Sequence, residues 1–212
     1  MDGRLAALQG ITENSFPDHP PVTLWSLDEW TRTWSRDATP GCVSLAVSPD
    51  DKMLASATRP SGLNTQIVVE IRMTEDGEYA RGIADYYFSS DLAFTPDGKS
   101  LIVAAGSALI YTINNMPRFS ENVLEDRSIE PAHILSLHSD NNLIVSVEPS
   151  PSGSLLALGT TQGDIAFWAV GEQKPRATVH TATLCDPGDD LAVVPADFFS
   201  RRLRTGGDRL WP

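Results

Sequence analysis

One turn recurs along this chain of 212 residues and limits what it can fold into. It reads Ser48-Pro49-Asp50-Asp51, then Thr95-Pro96-Asp97-Gly98, then Ser150-Pro151-Ser152-Gly153, with a weaker fourth copy at Pro195-Ala196-Asp197. Proline presets φ for such a turn, and Asp or Gly tolerates the tighter position that follows. A short alternating apolar stretch precedes each turn. A second apolar run follows it, at residues 53–57, 101–105, 155–159 and 203–205. Two such runs around one turn make a hairpin. A third run comes next, at 66–72, 108–114, 164–170 and 208–211. Val43, Leu45 and Val47 share one face at period two, as do Leu92 and Phe94. Helical periodicity is absent except for a small helix that fits near residues 26–34.

The turn prolines are 47, 55 and 44 residues apart. Repeats of about 40–50 residues are the period of propeller blades. The longest spacing has a visible cause in residues 115–132, which hold Pro117, several acids and no strand pattern. They read as a long inter-strand loop. Loops on rigid frames often carry binding, which makes Pro117, Arg118, Phe119, Glu121 and Glu125 the candidate partner-binding residues.

These units resemble the WD-repeat family. Residues 135–138, 144–151, 155–160 and 165–168 follow the family's progression from an outer strand ending near a histidine, through three inner strands, to a closing tryptophan. His138 and Trp168 are 30 residues apart, and His180 and Trp211 are 31 apart. A leading strand at residues 22–28 carries Leu24-Trp25, a pair echoed by Phe167-Trp168 and Leu210-Trp211. The resemblance implies a hydrogen-bonded tetrad of His, Ser or Thr, Asp and Trp within a blade. The matching residues are His138, Thr160 and Trp168 in the third copy, with Gln162 where Asp is expected. In the fourth they are His180, Thr205, Asp208 and Trp211. The first two copies lack the His and the Trp, and no Gly-His or Trp-Asp dipeptide occurs, so the repeats are degenerate.

The expected fold is therefore all-β: a β-propeller of about four WD-like blades plus a leading strand. Four and a half blades make a partial ring, an irregularly closed one, or a half that pairs with another chain. Residues 1–21 read as a loosely ordered lead-in. Residues 22–212 hold repeat units at about 29–72, 78–114, 133–170 and 176–211.

Chemistry is sparse. There is no Gly-x-Ser-x-Gly elbow, Walker loop, Gly-x-Gly-x-x-Gly or Cys-x-x-Cys, and the two cysteines, Cys42 and Cys185, are far apart. His133 and His138 are close enough for a metal pair, but His138 and His180 read better as structural. Residues 186–190, Asp-Pro-Gly-Asp-Asp, offer carboxylates for calcium without EF-hand spacing and read as a solvated turn. Arg201, Arg202 and Arg204 form the basic cluster, which reads as a water-facing strand edge. Trp25, Trp30 and Trp34 crowd together near the N-terminus and read as core more than as partner contacts. No catalytic residue, metal or cofactor is expected.

The net charge of −12 opposes nucleic-acid phosphates and anionic membranes. The opening Met1-Asp2-Gly3-Arg4 has no apolar h-region and no run approaches the length of a spanning helix, so the expected setting is intracellular, cytoplasmic or nuclear. By analogy with the resembled family, the expected role is a non-catalytic scaffold binding proteins or peptides in a multiprotein complex. A propeller hydrolase of lactonase-like or peptidase-gating type stands as the alternative, and a vesicle-trafficking propeller as a further one.

Overall fold

The computed structural model describes residues 5–9, 21–37, 42–58, 67–85, 91–116, 129–137 and 142–180. The described residues form four antiparallel sheets. The first holds β1 (Leu5–Gln9), β2 (Pro21–Ser26) and β3 (Thr31–Asp37). The second holds β4 (Cys42–Val47), β5 (Met53–Thr58), β6 (Ile67–Met73) and β7 (Tyr79–Asp85). The third holds β8 (Asp91–Phe94), β9 (Ser100–Ala104), β10 (Ala108–Thr112) and β11 (His133–Leu135). The fourth holds β12 (Ile144–Pro149), β13 (Leu155–Thr160), β14 (Asp164–Ala169) and β15 (Ala177–His180). Each four-stranded sheet is an up-and-down meander in chain order.

The strands that open the sheets, β1, β4, β8 and β12, lie side by side in that order. The sheets thus fan out from a common inner edge, which is the arrangement of propeller blades. The repeat units are offset from the sheets by one strand. Unit 78–114 supplies β7 to the second sheet and β8 to β10 to the third. The first strand, β1, lies within the segment 1–21 ahead of the repeats. Residues 26–34, where a small helix fits, instead end β2, turn, and begin β3.

A blade between two others is covered on both faces, so both of its alternating sets of side chains are largely buried. In the third sheet Leu92, Phe94, Leu101, Val103, Leu109 and Tyr111 pack toward the second sheet, joining Ala55, Ala57, Val69, Ile71 and Ile83. The other set, Ala93, Ile102, Ala104 and Ala108, meets Ile144, Val147, Leu156, Leu158, Ala166 and Trp168 of the fourth. Between the first and second sheets sit Val22, Leu24, Trp34 and Leu54, with Leu45 and Val47 beside them.

The expected alternation fails at one position. β4 is bulged between Cys42 and Ser44, so Val43 drops out of phase with Leu45 and Val47 and is exposed. β12 bulges at the equivalent place, between Ile144 and Ser146.

The three turns are built alike. The Ser or Thr that opens each one accepts a hydrogen bond from the backbone N–H five residues on: Met53 to Ser48 at 2.9 Å, Ser100 to Thr95 at 3.0 Å, and Leu155 to Ser150 at 3.0 Å. Asp51, Gly98 and Gly153 occupy the same left-handed position, at φ 58°, 67° and 71°. Successive turns touch: a β-carbon on Gly98 would lie 3.8 Å from Pro49 Cδ, and one on Gly153 would lie 3.7 Å from Pro96.

Candidate functional site

The inner edge of the fan carries a joint made by one carboxylate. Asp91 opens β8, and both of its oxygens are filled. Oδ1 accepts from Ser44 Oγ at 3.0 Å and from the Leu92 N–H at 2.9 Å. Oδ2 accepts from Ser146 Oγ and from the Val147 N–H, each at 3.0 Å. Ser44 belongs to the second sheet and Ser146 to the fourth, so Asp91 ties three blades. Each serine immediately follows a bulge, which aims its hydroxyl at the neighbouring strand.

A second polar cluster lies within the fourth sheet, at the turn from β13 to β14. Asp164 is buried and sits directly opposite His180 on β15. Its Oδ1 pairs with His180 Nδ1, and its Oδ2 accepts from Asn142 Nδ2 at 3.0 Å. Its own N–H donates to Thr160 Oγ1 at 3.1 Å. The His180 ring is otherwise largely exposed.

This cluster departs from the tetrad that the resemblance implies. The carboxylate is Asp164 and not the residue at position 162, because the β13–β14 turn holds Gln162 at the surface, where its N–H donates to Asn142 Oδ1 at 3.3 Å. Trp168 is only 1% exposed, but its Nε1 donates to the Glu172 carbonyl at 2.8 Å, away from Thr160. His180 pairs within the fourth sheet through Asp164, whereas its spacing to Trp211 grouped it with the next repeat. His138, Thr205, Asp208 and Trp211 lie outside the described residues, as do Pro117, Arg118, Phe119, Glu121 and Glu125. The stretches 186–190 and 201–204 also lie outside them. At the flanks of the long loop, Met116 is buried and Ile129 packs against the same core. His133 is exposed on β11.

The three N-terminal tryptophans have different fates. Trp34 is 7% exposed, and its Nε1 donates to the Thr74 carbonyl at 2.7 Å, joining the first sheet to the second. Trp25 is half-buried and donates to Thr23 Oγ1 at 3.2 Å. Trp30 does not pack between blades. It stands 79% exposed in the β2–β3 turn.

The turn carboxylates are held in the same way as each other. Ser48 Oγ donates to Asp50 at 2.7 Å, and Thr95 Oγ1 donates to Asp97 at 2.6 Å. These hydroxyl bonds hold both carboxyls below their ordinary value. Burial pushes the Cys42 thiol up to about 11, so it stays protonated at neutral pH. Among the described residues no group of three or more His, Cys, Asp or Glu is placed to hold a metal ion.

Asp91, whose oxygens are filled from neighbouring blades, acts as a joint. Among the described residues the exposed large apolar side chains, which leave surface for other molecules, are Trp30, Val43, Tyr79, Ile134, Leu143 and Val170. Sequence pattern alone missed Asp91. Its signal was the offset it shares with Ser44 and Ser146: each stands four residues before the Ser or Thr that opens its turn.

No family model and no curated protein matches this chain. In structure it is similar to the crystal structure of the Cps50 (Swd1) β-propeller domain from Myceliophteria thermophila, with a TM-score of 0.61 at 15% identity. The match covers 84% of this chain and 52% of that one, so the chain spans about half the length of the domain it resembles. A likeness at that identity shows the fold, which is a β-propeller.

Proposed function

We propose that the chain is a non-catalytic scaffold of the WD-repeat kind, which binds proteins or peptides within a multiprotein complex. The observation that carries this reading is the Asp91 joint. It fixes the second, third and fourth blades to one another at their inner edge. Loops and exposed side chains on such a frame are held in place before a partner arrives, which lowers the entropy lost on binding. The acidic balance favours proteins with basic surfaces over nucleic acid. We place its work inside the cell.

Affinity purification of the tagged protein at physiological salt tests the reading. Near-stoichiometric protein partners are expected. Replacing residues 117–128 with a short Gly-Ser linker leaves Met116 and Ile129 in the core, and it should release partners that use the loop. A protein that elutes alone under all these conditions contradicts the scaffold reading and favours a propeller hydrolase.

A further inference from the structure

We infer that the tip of the β2–β3 hairpin docks an arginine- or lysine-rich segment of a partner protein, held by the face of Trp30 and the carboxylates beside it. The inference rests on the scaffold reading and names one contact point within it.

Three observations meet at this tip. Trp30, at 79%, is the most exposed of the large apolar side chains among the described residues. Its backbone is left-handed, at φ 53°, a conformation that glycine adopts freely and a bulky aromatic residue does not. The two residues before it, Asp28 and Glu29, are exposed carboxylates in the same four-residue turn. Glu29 is steadied there. Its N–H donates to Ser26 Oγ, and its Oε2 accepts from Thr31 Oγ1, each at 3.4 Å. The neighbouring cation, Arg32, sits back on β3 opposite Trp25.

An indole face attracts a guanidinium or ammonium through its quadrupole, and tryptophan does so better than other side chains. The carboxylates that precede Trp30 in the turn supply complementary charge. The net charge of −12 steers a basic segment toward this surface. Tryptophan also favours membrane interfaces, but carboxylates at the tip oppose the anionic leaflet. A basic protein segment is the occupant that both the ring and the charges favour.

The probe is a fluorescein-labelled deca-arginine peptide, read by anisotropy with the whole chain at physiological salt. W30A keeps the net charge and is expected to bind ~10-fold more weakly, the scale of one desolvated cation–π contact. W30F should stay within ~3-fold of the wild type, since a ring remains. W30G should bind as weakly as W30A while melting no lower than the wild type, because glycine relieves the left-handed strain. Equal binding by wild type and W30A, or none by the wild type, overturns the inference. So does Trp30-dependent binding to phosphatidylserine vesicles with the peptide ignored. The scaffold reading is judged separately: it fails if the protein elutes without partners, whereas partners that co-purify with W30A as well as with the wild type leave it standing and exclude the tip.

Discussion

The second sheet meets its two neighbours in different ways. Toward the third sheet it presents Ala55, Ala57, Val69, Ile71 and Ile83, an apolar surface matched by Leu92, Phe94, Leu101 and Val103. Toward the first it presents Leu54, Ser56, Glu70 and Arg72, all buried. Arg72 Nη2 lies 3.4 Å from Glu70 Oε2, Nη1 donates to the Gly77 carbonyl at 3.1 Å, and the guanidinium sits 3.7 Å over the Tyr79 ring. Trp34 and Arg36 of the first sheet complete the contact by donating to the Thr74 and Asp76 carbonyls, each at 2.7 Å. The apolar interface is held by area and shape, so it tolerates change in proportion to volume. The other, where Glu70 and Arg72 lie buried beside the apolar cluster of Val22, Leu24, Trp34 and Leu54, depends also on its polar partners, because a buried charge left alone is costly.

Substitutions on each side sharpen this contrast. Trp168→Ala, in the apolar interface of the third and fourth sheets, should cost about 4 kcal/mol through lost burial and an unfilled cavity. An unchanged melting temperature would deny the packing seen there. Arg72→Met should cost about 3 kcal/mol by removing the buried counter-charge of Glu70, and adding Glu70→Leu should recover most of the loss. Were the double variant as unstable as the single one, the ion pair would not be what distinguishes the interface. Asp91→Ala should cost about 2 kcal/mol, since it removes hydrogen bonds to a charged acceptor from two flanking blades. Asp51→Gly should stabilise by about 1 kcal/mol, as the position is left-handed and the other two turns hold glycine there. Denaturant melts of the four single variants and the double variant rank these effects.

Acid gives a further, smaller contrast. Asp50 and Asp97 titrate below their ordinary value of 3.8, so their bonds to Ser48 and Thr95 stabilise the fold above that pH. The contribution is lost as pH falls through the lowered folded values. Both carboxylates are exposed, so Ser48→Ala and Thr95→Val should flatten the acid limb of the stability curve only slightly.

Much of the blade order was readable from residues. The turns at 48–51, 95–98 and 150–153 occur where Pro and Asp or Gly put them, and the flanking strands β5, β9 and β13 start at or within two residues of the expected runs. Contacts between distant positions were not readable. Asp91 draws on Ser44 and Ser146, 47 and 55 residues away, and only the four-residue offset before the turn that the three share points to it. The bulges hid there too, because one inserted residue leaves the apolar count of a short strand almost unchanged. Trp30 was misjudged because composition cannot tell a tryptophan that packs from one that a turn leaves exposed. Asp164 was missed because counting from the family's pattern put the carboxylate two positions earlier, at Gln162.

The most direct test of the jointed frame is a double-mutant cycle between Asp91→Ala and Ser146→Ala, which belong to different blades. If the third and fourth blades are clasped at their inner edge, the two losses are non-additive, with a coupling of about 1 kcal/mol. Losses that simply add would mean that Asp91 and Ser146 do not meet, and that the blades are not joined as described.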